Sequence, residues 1–491
     1  MAKSKPTVIL IQPIVGSLDG IKDRPAVPLS LITASTYLVN DNTYDVLIID
    51  QRLSKDWKNY LKESIKNTDQ LICVGTTAML GAQIEYALDG LRAVKEINPK
   101  IPTVWGGPQG GILPEITIEH PLIDYLIQGD AEKSFRKLVD CLYQEVEPYW
   151  VPGVYTKQGK SIEDYSLLDI NELEEPPYEI VKVSNYLPKR FGVPSLDVET
   201  SRGCPFNCAF CYNPSLHQRK WRALTSERTL RRLDNLKSRY CVESFWFIDD
   251  EFFVDLKRAQ EIIEGVIERK YRWSVQGTTI ANCLRMSDTF LKLLHRSGCK
   301  QLNIGVESGS EELLKKMNKP ITNEQVLEVN SKLAKFDIVP SYYFIVGFPD
   351  ETENDFSQTL KLVENIFKYN KKAKVMNIGC YTPYPSTQLM QRCLELGYEP
   401  PKKLEDYITY GVDEVNTPWV RDCPEVKRRI EGANFINYFI DNKAFDLTIP
   451  FWIAALTVIY QPIARWRLRS QNFNYNLDIR FGRKMREVLF P

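Results

Sequence analysis

The sequence predicts an α/β protein with two parallel-sheet domains followed by a mainly helical C-terminal extension. Short apolar runs alternate with helical segments over residues 1–147, the same alternation returns over 191–400, and it stops after about residue 400. Such alternation is typical of parallel sheets covered by helices. We therefore expect a Rossmann-like doubly wound sheet, a linker over 148–190, a partial (β/α)6 barrel, and a helical extension over 401–491.

The first domain contains five apolar runs of strand length, which are Val8–Gln12, Tyr44–Asp50, Leu71–Gly75, Thr103–Gly106 and Tyr125–Gln128. Uninterrupted apolar runs of this length are typical of parallel strands buried on both faces. After the fifth run, Phe135, Leu138 and Leu142 recur at the spacing of one helical face. In doubly wound sheets the ligand lies at the carboxyl ends of the strands.

Small or polar residues follow three of these strands, and we take them as candidate ligand contacts: Thr76, Thr77, Gly106, Gly107, Gly129 and Glu132. Residues without bulk allow a large flat ligand to approach the backbone closely. The alternative is that each glycine only makes a turn from strand to helix.

The linker is rich in proline, including Pro152, Pro176 and Pro188, and we expect an irregular surface segment there.

In the barrel region, Thr322 and Gln325 have the spacing of a helix capping box. The barrel region contains six candidate strands, which are Leu196–Glu199, Ser244–Ile248, Trp273–Gln276, Gln301–Gly305, Ser341–Val346 and Val375–Gly379.

Three cysteines, Cys204, Cys208 and Cys211, follow the first barrel strand with the spacing Cys-x3-Cys-x2-Cys. Three thiolates on one loop can ligate three irons of a 4Fe–4S cluster, whereas electron-transfer clusters use four. A zinc site usually adds a second cysteine pair or histidines, and a disulfide framework is unfavourable in a long chain without a secretion signal. Zinc binding and a chance spacing of buried cysteines remain the alternatives.

This motif, with Phe210 before its last cysteine, resembles the radical S-adenosylmethionine (SAM) superfamily. The order of the domains, the Gly-Gly-Pro after the fourth strand and the turn after the fifth resemble its cobalamin (B12)-binding branch. That branch includes class B radical SAM methyltransferases and enzymes like the anaerobic magnesium-protoporphyrin cyclase. The resemblance implies that the cysteines hold a 4Fe–4S cluster whose open iron chelates SAM, which is cleaved to a 5′-deoxyadenosyl radical.

The resemblance also implies contacts to SAM after two barrel strands. Asp249 and Asp250 would lie near its amino group, although either residue could instead cap the next helix. Glu307 and Ser308 would lie near its ribose and carboxylate.

Further predicted contacts are Phe210, beside the adenine, and Gln276, at the end of the third barrel strand. The turn Gly347–Thr352 resembles the family's Gly-Phe-Pro-Gly-Glu-Thr segment, with Asp350 in place of the glycine. The run Tyr212–Arg222 could meet an anionic substrate or be a solvated loop.

The first domain departs from the better-known cobalamin pattern because Asp-x-His-x-x-Gly is absent and His120 is its single histidine. We therefore predict base-off cobalamin without a histidine lower ligand, with apolar residues or water below the cobalt. A domain that keeps the shape and has lost the cofactor is the alternative.

The predicted function is that of a cobalamin-dependent radical SAM methyltransferase that methylates an unactivated carbon, with methylcobalamin as the methyl donor. A ring-forming oxidative cyclase and a non-catalytic cobalamin or redox sensor are the alternatives. The resemblance implies a small-molecule or lipid-type substrate and an external flavodoxin or ferredoxin as electron donor. We expect a monomer and, because the cluster is oxygen-sensitive, an anaerobic setting.

The formal net charge is zero over 491 residues, so nothing favours a nucleic-acid partner. Eleven cysteines without an extracellular pattern indicate the cytoplasm. Near the C-terminus, Leu447–Tyr460 is apolar but short for a membrane span, and arginines follow it over Arg465–Arg469. This tail is predicted to cap the barrel, with peripheral membrane contact as the alternative.

Overall fold

A computed structural model describes residues 5–16, 24–411, 414–441, 451–474 and 477–479. The chain divides into two compact units. The first contains Arg24–Leu187 and Pro400–Gly411 with the described N-terminal residues, and the second contains Pro188–Glu399 and the described residues that follow 412.

The first unit has a sheet whose strands are β1 (Thr7–Gln12), β2 (Asp45–Asp50), β3 (Leu71–Thr77), β4 (Thr103–Gly106), β5 (Tyr125–Ile127), β6 (Val154–Thr156) and β7 (Gly159–Lys160). Their order is β2-β1-β3-β4-β5-β6-β7. The first five pair in parallel, which confirms the predicted doubly wound sheet.

Helices cover both faces of this sheet, and they are α1 (Leu29–Ala34), α2 (Thr36–Val39), α3 (Trp57–Lys66), α4 (Gln83–Ile97), α5 (Pro108–Ile112), α6 (Pro114–Glu119) and α7 (Ala131–Tyr143). Side chains alternate along β1, so Val8 and Leu10 join a core with α7, while Ile9 and Ile11 join another with α3 and α4. The two apolar layers explain why the strands read as continuous hydrophobic runs.

Part of the predicted linker belongs to the sheet, because β6 pairs antiparallel with β5. Short 3-10 helices follow at Tyr178–Ile180 and Val183–Tyr186. The segment 400–411, which holds a third 3-10 helix at Leu404–Thr409, packs on α4 of the first unit. We call it the return segment; the Gly81 amide donates to its Tyr407 carbonyl at 3.1 Å.

The second unit contains β8 (Lys189–Arg190), β9 (Val193–Val198), β10 (Ser201–Arg202), β11 (Arg222–Ala223), β12 (Ser244–Phe247), β13 (Arg272–Thr279), β14 (Cys299–Glu307), β15 (Val339–Val346) and β16 (Lys374–Cys380). Its main sheet has the order β16-β15-β14-β13-β12-β9-β8. Six of these strands run parallel, which confirms the predicted six-stranded partial barrel. Strand β8 is antiparallel to β9, and β10 pairs separately with β11.

The helices of this unit are α8 (Asn213–His217), α9 (Ser226–Arg239), α10 (Leu256–Arg269), α11 (Ile280–Leu284), α12 (Asp288–Arg296), α13 (Glu311–Lys316), α14 (Asn323–Lys335), α15 (Glu353–Tyr369), α16 (Met390–Glu395), α17 (Pro418–Arg421), α18 (Pro424–Asn437) and α19 (Phe451–Ser470). The predicted capping box of Thr322 and Gln325 begins α14.

The C-terminal apolar stretch extends further than predicted. Helix α19 continues through Pro462 to Ser470, whereas residues 447–450 of the predicted stretch lie outside the described residues. Of the helices in the described ranges, none is long and apolar enough to cross a membrane.

Candidate active site

The cysteine loop starts beyond β9, at the carboxyl end of the parallel strands, where barrel enzymes place their chemistry. Gly203 has a φ of +82°, and a Cβ there would lie 2.2 Å from the Lys220 carbonyl oxygen. The Ala209 amide donates to the Met317 carbonyl at 2.9 Å, and the Leu389 amide donates to the Ala209 carbonyl at 3.0 Å. The chain therefore holds the loop from both sides.

The thiols of Cys204, Cys208 and Cys211 are free and half-buried. Burial raises the pKa of Cys204 and Cys211 to about 12 and also raises that of Cys208. Since burial penalises a bare thiolate, a metal cation that supplies positive charge would remove the penalty. In the described ranges, no three His, Cys, Asp or Glu side chains converge on a single metal ion. A 4Fe–4S cluster instead places each thiolate on a different iron, so this donor set fits it.

Asp249 and Asp250 bind the start of the loop. The buried Asp249 carboxylate accepts hydrogen bonds from the Thr200 amide at 2.7 Å and from the Thr200 and Ser201 hydroxyls at 2.6 Å. Asp250 accepts from the Gly203 amide at 2.8 Å. The alternative that either residue caps the next helix is wrong, because Asp255 caps α10. These bonds favour a structural role for Asp249, and its predicted SAM contact stays a prediction.

Glu251, the next residue, was not selected from the sequence. It is fully buried, and burial raises the pKa of its carboxyl to about 7. Its Oε1 accepts from the Phe253 amide at 3.2 Å, while its Oε2 has no hydrogen-bond partner in the described part of the chain. The Glu251 charge also raises the pKa of Cys204, so the two groups lie near one another, and this oxygen could accept a hydrogen bond from a ligand at the cluster.

Glu307 is paired with a lysine that sequence reasoning missed. The Lys319 ammonium lies 2.7 Å from Glu307 Oε1, and both side chains are 10% exposed. The same ammonium lies 5.9 Å from the centre of the Phe210 ring, and its charge lowers the pKa of Cys208 against the effect of burial. The Lys319 ammonium thus lies close to the cysteine loop. In the sequence, the only feature that marks this lysine is its position in the Asn-Lys-Pro turn after α13.

Phe210 packs edge to face on Phe348 at 5.8 Å, which brings the cysteine loop against the turn after β15. In this turn Gly347 has a φ of +82°, and its amide donates to the Glu351 carboxylate. The Trp419 indole donates to the Gly347 carbonyl at 3.0 Å. The turn Gly347–Thr352 is therefore held by hydrogen bonds on both sides of Gly347 and packs against the cysteine loop within the second unit.

Ser308 and Gln276 have different surroundings from Glu307. Ser308 is fully buried and lies 3.1 Å from the Thr359 hydroxyl, which favours a structural role. Gln276 lies within β13 rather than at its end, because the strand continues to Thr279. It is exposed and accepts from the Trp246 indole at 3.1 Å.

The face of the barrel sheet opposite its helices is polar. In β13–β15, Trp273 and Tyr342 point to one face and are fully buried, whereas several residues of the other face, such as Ser274, Asn303 and Tyr343, carry hydrogen-bonding groups. The Asn303 amide donates to the Tyr343 hydroxyl at 3.2 Å and accepts from Gln301 at 2.7 Å. This face can bind hydrogen-bonding groups of a substrate.

In the first unit, the predicted ligand contacts lie at the carboxyl ends of the strands. Gly107 has a φ of +91°, and a Cβ there would lie 2.4 Å from the Thr77 hydroxyl oxygen. Thr76 donates to the Ile11 carbonyl at 3.0 Å. Gly106 would tolerate a Cβ, so its predicted contact rests on position alone.

Gly129 has a φ of +83°, and a Cβ there would lie 2.3 Å from the Tyr165 ring. The space beside Gly129 is thus occupied by the Tyr165 side chain, which belongs to the predicted linker. Glu132 is buried in the first turn of α7.

Two exposed apolar side chains mark the point where the strand order reverses. Val15 follows β1 and is 48% exposed, and Met79 follows the neighbouring β3 and is 44% exposed. Ligands of open α/β sheets bind at this reversal. His120 lies elsewhere, at the end of α6, where its ring nitrogens contact Glu405 Oε1 and the Leu122 amide, both at 3.2 Å.

Two family models match the chain. The radical SAM superfamily model matches residues 198–363, which contain the cysteines, and the B12 binding domain model matches residues 28–139. The matches fall in the second and the first unit respectively.

Among curated relatives, an uncharacterised methyltransferase of Pyrococcus horikoshii is 28% identical over 78% of this chain and 82% of its own length. The anaerobic magnesium-protoporphyrin IX monomethyl ester cyclase of Rubrivivax gelatinosus is 28% identical over 84% of this chain and 74% of its own. A solved structure of the cobalamin-dependent SAM radical enzyme OxsB, with aqua-cobalamin and SAM bound, shares the fold. Its TM-score is 0.71 at 19% identity, covering 99% of this chain and 75% of that one.

Proposed function

Because this chain belongs to the cobalamin-binding branch of the radical SAM superfamily and is a cobalamin-dependent radical SAM enzyme, we propose that it is a methyltransferase acting at an unactivated carbon. The observation that carries the proposal is the presence of both family domains in one chain, together with the three-cysteine loop. The P. horikoshii relative, named as a methyltransferase and matched over most of both chains, favours methyl transfer.

When bound, the cluster with SAM supplies a carbon-centred radical, and cobalamin supplies a transferable methyl group. The chain's own contribution is to position these groups and exclude water. Cys204, Cys208 and Cys211 would hold the cluster, and Phe210 would pack beside the adenine. Glu251 would accept a hydrogen bond from SAM, and Lys319 would orient Glu307 toward the ribose.

We propose that cobalamin binds base-off at the carboxyl ends of β1 and β3. The exposed Val15 and Met79 offer it an apolar surface. His120 is engaged by Glu405 and Leu122, which supports a lower face without histidine. The remaining predicted contacts of this domain are Thr76, Thr77, Gly106, Gly107, Gly129 and Glu132.

The substrate is proposed to be a small molecule or lipid-type compound with hydrogen-bonding groups that match the polar face of the barrel sheet. An external flavodoxin or ferredoxin would supply the electron. We propose that the enzyme acts in the cytoplasm as a monomer. It is also proposed to act without nucleic acid, since its formal net charge is zero.

The test is product analysis on anaerobic protein reconstituted with iron, sulfide and cobalamin, then given SAM and a strong reductant. A methyltransferase should form both S-adenosylhomocysteine and 5′-deoxyadenosine, and its cob(II)alamin spectrum should be base-off. Cys208→Ala should abolish 5′-deoxyadenosine formation, whereas Cys241→Ala, at an exposed cysteine, should not. Persistent SAM cleavage by Cys208→Ala would refute the cluster assignment.

A ring-forming oxidative reaction is the second candidate, because the R. gelatinosus cyclase matches this chain as extensively as the methyltransferase does. It predicts 5′-deoxyadenosine without S-adenosylhomocysteine. A protein that binds cobalamin and cleaves no SAM would instead support a sensor.

A further inference from the structure

Helix α19 carries an exposed apolar surface that the proposed reaction does not use. Val458, Ile459, Ile463 and Trp466 are 45%, 72%, 45% and 53% exposed. At about 100° per residue these four side chains fall within one arc of the helix surface. We call them the outward stripe.

The opposite face attaches α19 to the protein. Ala464 and Leu468 are buried, and the Tyr460 ring packs on the rings of Phe435 in α18 and of Phe439, with ring centres 5.8 and 4.8 Å away. The helix also packs on α15 and α18. Since these contacts hold the helix, the outward stripe is not needed for folding, and contiguous exposed apolar surface usually marks an interaction site.

Cations border the stripe on one side. Arg465 and Arg469 are exposed, although Arg469 also pairs with a glutamate of α15. Helix α19 contains no aspartate or glutamate. The surface therefore combines apolar side chains, a tryptophan and positive charge.

We propose that the outward stripe docks on a membrane surface containing anionic phospholipid, with α19 lying parallel to it. Apolar and aromatic residues bordered by arginines are the composition of helices that lie in the lipid headgroup region. A second copy of this chain is the less favoured occupant, because the arginines would find no acidic partner on the facing helix. The inference is independent of which reaction the enzyme performs.

The test is sedimentation of the full-length protein with lipid vesicles. Binding should be stronger to phosphatidylcholine containing one quarter phosphatidylglycerol than to phosphatidylcholine alone, and salt should weaken it. The triple variant Ile459→Ser, Ile463→Ser, Trp466→Ser should bind roughly tenfold or more weakly. Ile162→Ser, at an 84% exposed residue of the first unit, is the matched control and should bind normally.

A second variant, Arg465→Gln with Arg469→Gln, retains the apolar surface and should lose the preference for anionic vesicles. Circular dichroism and iron content would verify that each variant is folded. The proposal is overturned if the wild type does not bind vesicles or if the triple variant binds as well as the wild type. It is also overturned if the stripe instead holds a dimer in solution that the triple variant dissociates.

Discussion

Replacing Glu351 by glutamine is expected to stabilise the protein at alkaline pH. Its carboxylate binds the Gly347 amide, but its Oε1 is buried without a partner in the described part of the chain. Burial raises the pKa of this carboxyl from 4.5 to about 8. At neutral pH the folded protein therefore keeps a proton that the unfolded chain has already released.

The sign follows from proton binding. Between pH 4.5 and about 8 the folded state binds one proton more than the unfolded state, so the free energy of unfolding falls as pH rises. One pKa unit corresponds to about 1.4 kcal/mol, so the full loss is on the order of 5 kcal/mol. This is an upper bound because the residue keeps some contact with solvent. Above about pH 8 the loss of unfolding free energy no longer grows with pH. Glutamine does not titrate, so the Glu351→Gln variant does not undergo this loss.

The measurement is the thermal midpoint of anaerobically purified wild type and Glu351→Gln between pH 5.5 and 9. The difference in melting temperature should be smallest at pH 5.5 and grow with pH, and the variant should melt several degrees higher at pH 9, given about 2–4 °C per kcal/mol. Asp350→Asn is the matched control: Arg392 holds the pKa of Asp350 below its usual value, so this variant should show no gain. Equal melting of Glu351→Gln and wild type across the whole range would refute the reasoning.

Three further predictions concern the two cofactor regions. Gly107→Ala should cost about 1–3 kcal/mol through backbone strain and close contact, and it should reduce the cobalamin retained per chain, measured by absorbance. Gly159→Ala is the control for backbone strain alone, because Gly159 has a φ of +139° but its added Cβ meets open space, and this variant should retain cobalamin. Lys319→Met should lower stability by about 3–5 kcal/mol because Glu307 is left as an unpaired buried charge, whereas Lys319→Arg should lose less; equal thermal midpoints would contradict this. Asp249→Asn should lower the iron bound after reconstitution, because the amide cannot accept all three hydrogen bonds at the start of the cysteine loop. Full iron loading would show that these hydrogen bonds are not needed for cluster binding.

The parallel strands could be predicted because buried strands must be apolar along their whole length. The strand predicted at Gln301–Gly305 extends over Cys299–Glu307 in the structure, and the strand predicted at Thr103–Gly106 has the predicted bounds. Strand β6 was missed because prolines and glycines around it read as a linker, and its partner β5 lies some 30 residues earlier.

The cysteine loop could be recognised from spacing alone, but its support could not. Lys319 and Asp249 act through side chains that are distant in sequence and become neighbours only after folding. Ser308, read as a ligand contact, is turned toward Thr359 of α15, an orientation that no local pattern predicts.

The return segment makes the first unit discontinuous in the chain. Its contacts with Gly81 and His120 cannot form until residues up to about 411 have been synthesised, after the whole barrel region. A nascent chain that ends at Leu187 would thus expose the surface that Leu404 and Tyr407 later cover. Although domains generally fold from the N-terminus during translation, the first unit cannot be completed until Pro188–Glu399 of the second unit and the return segment have left the ribosome.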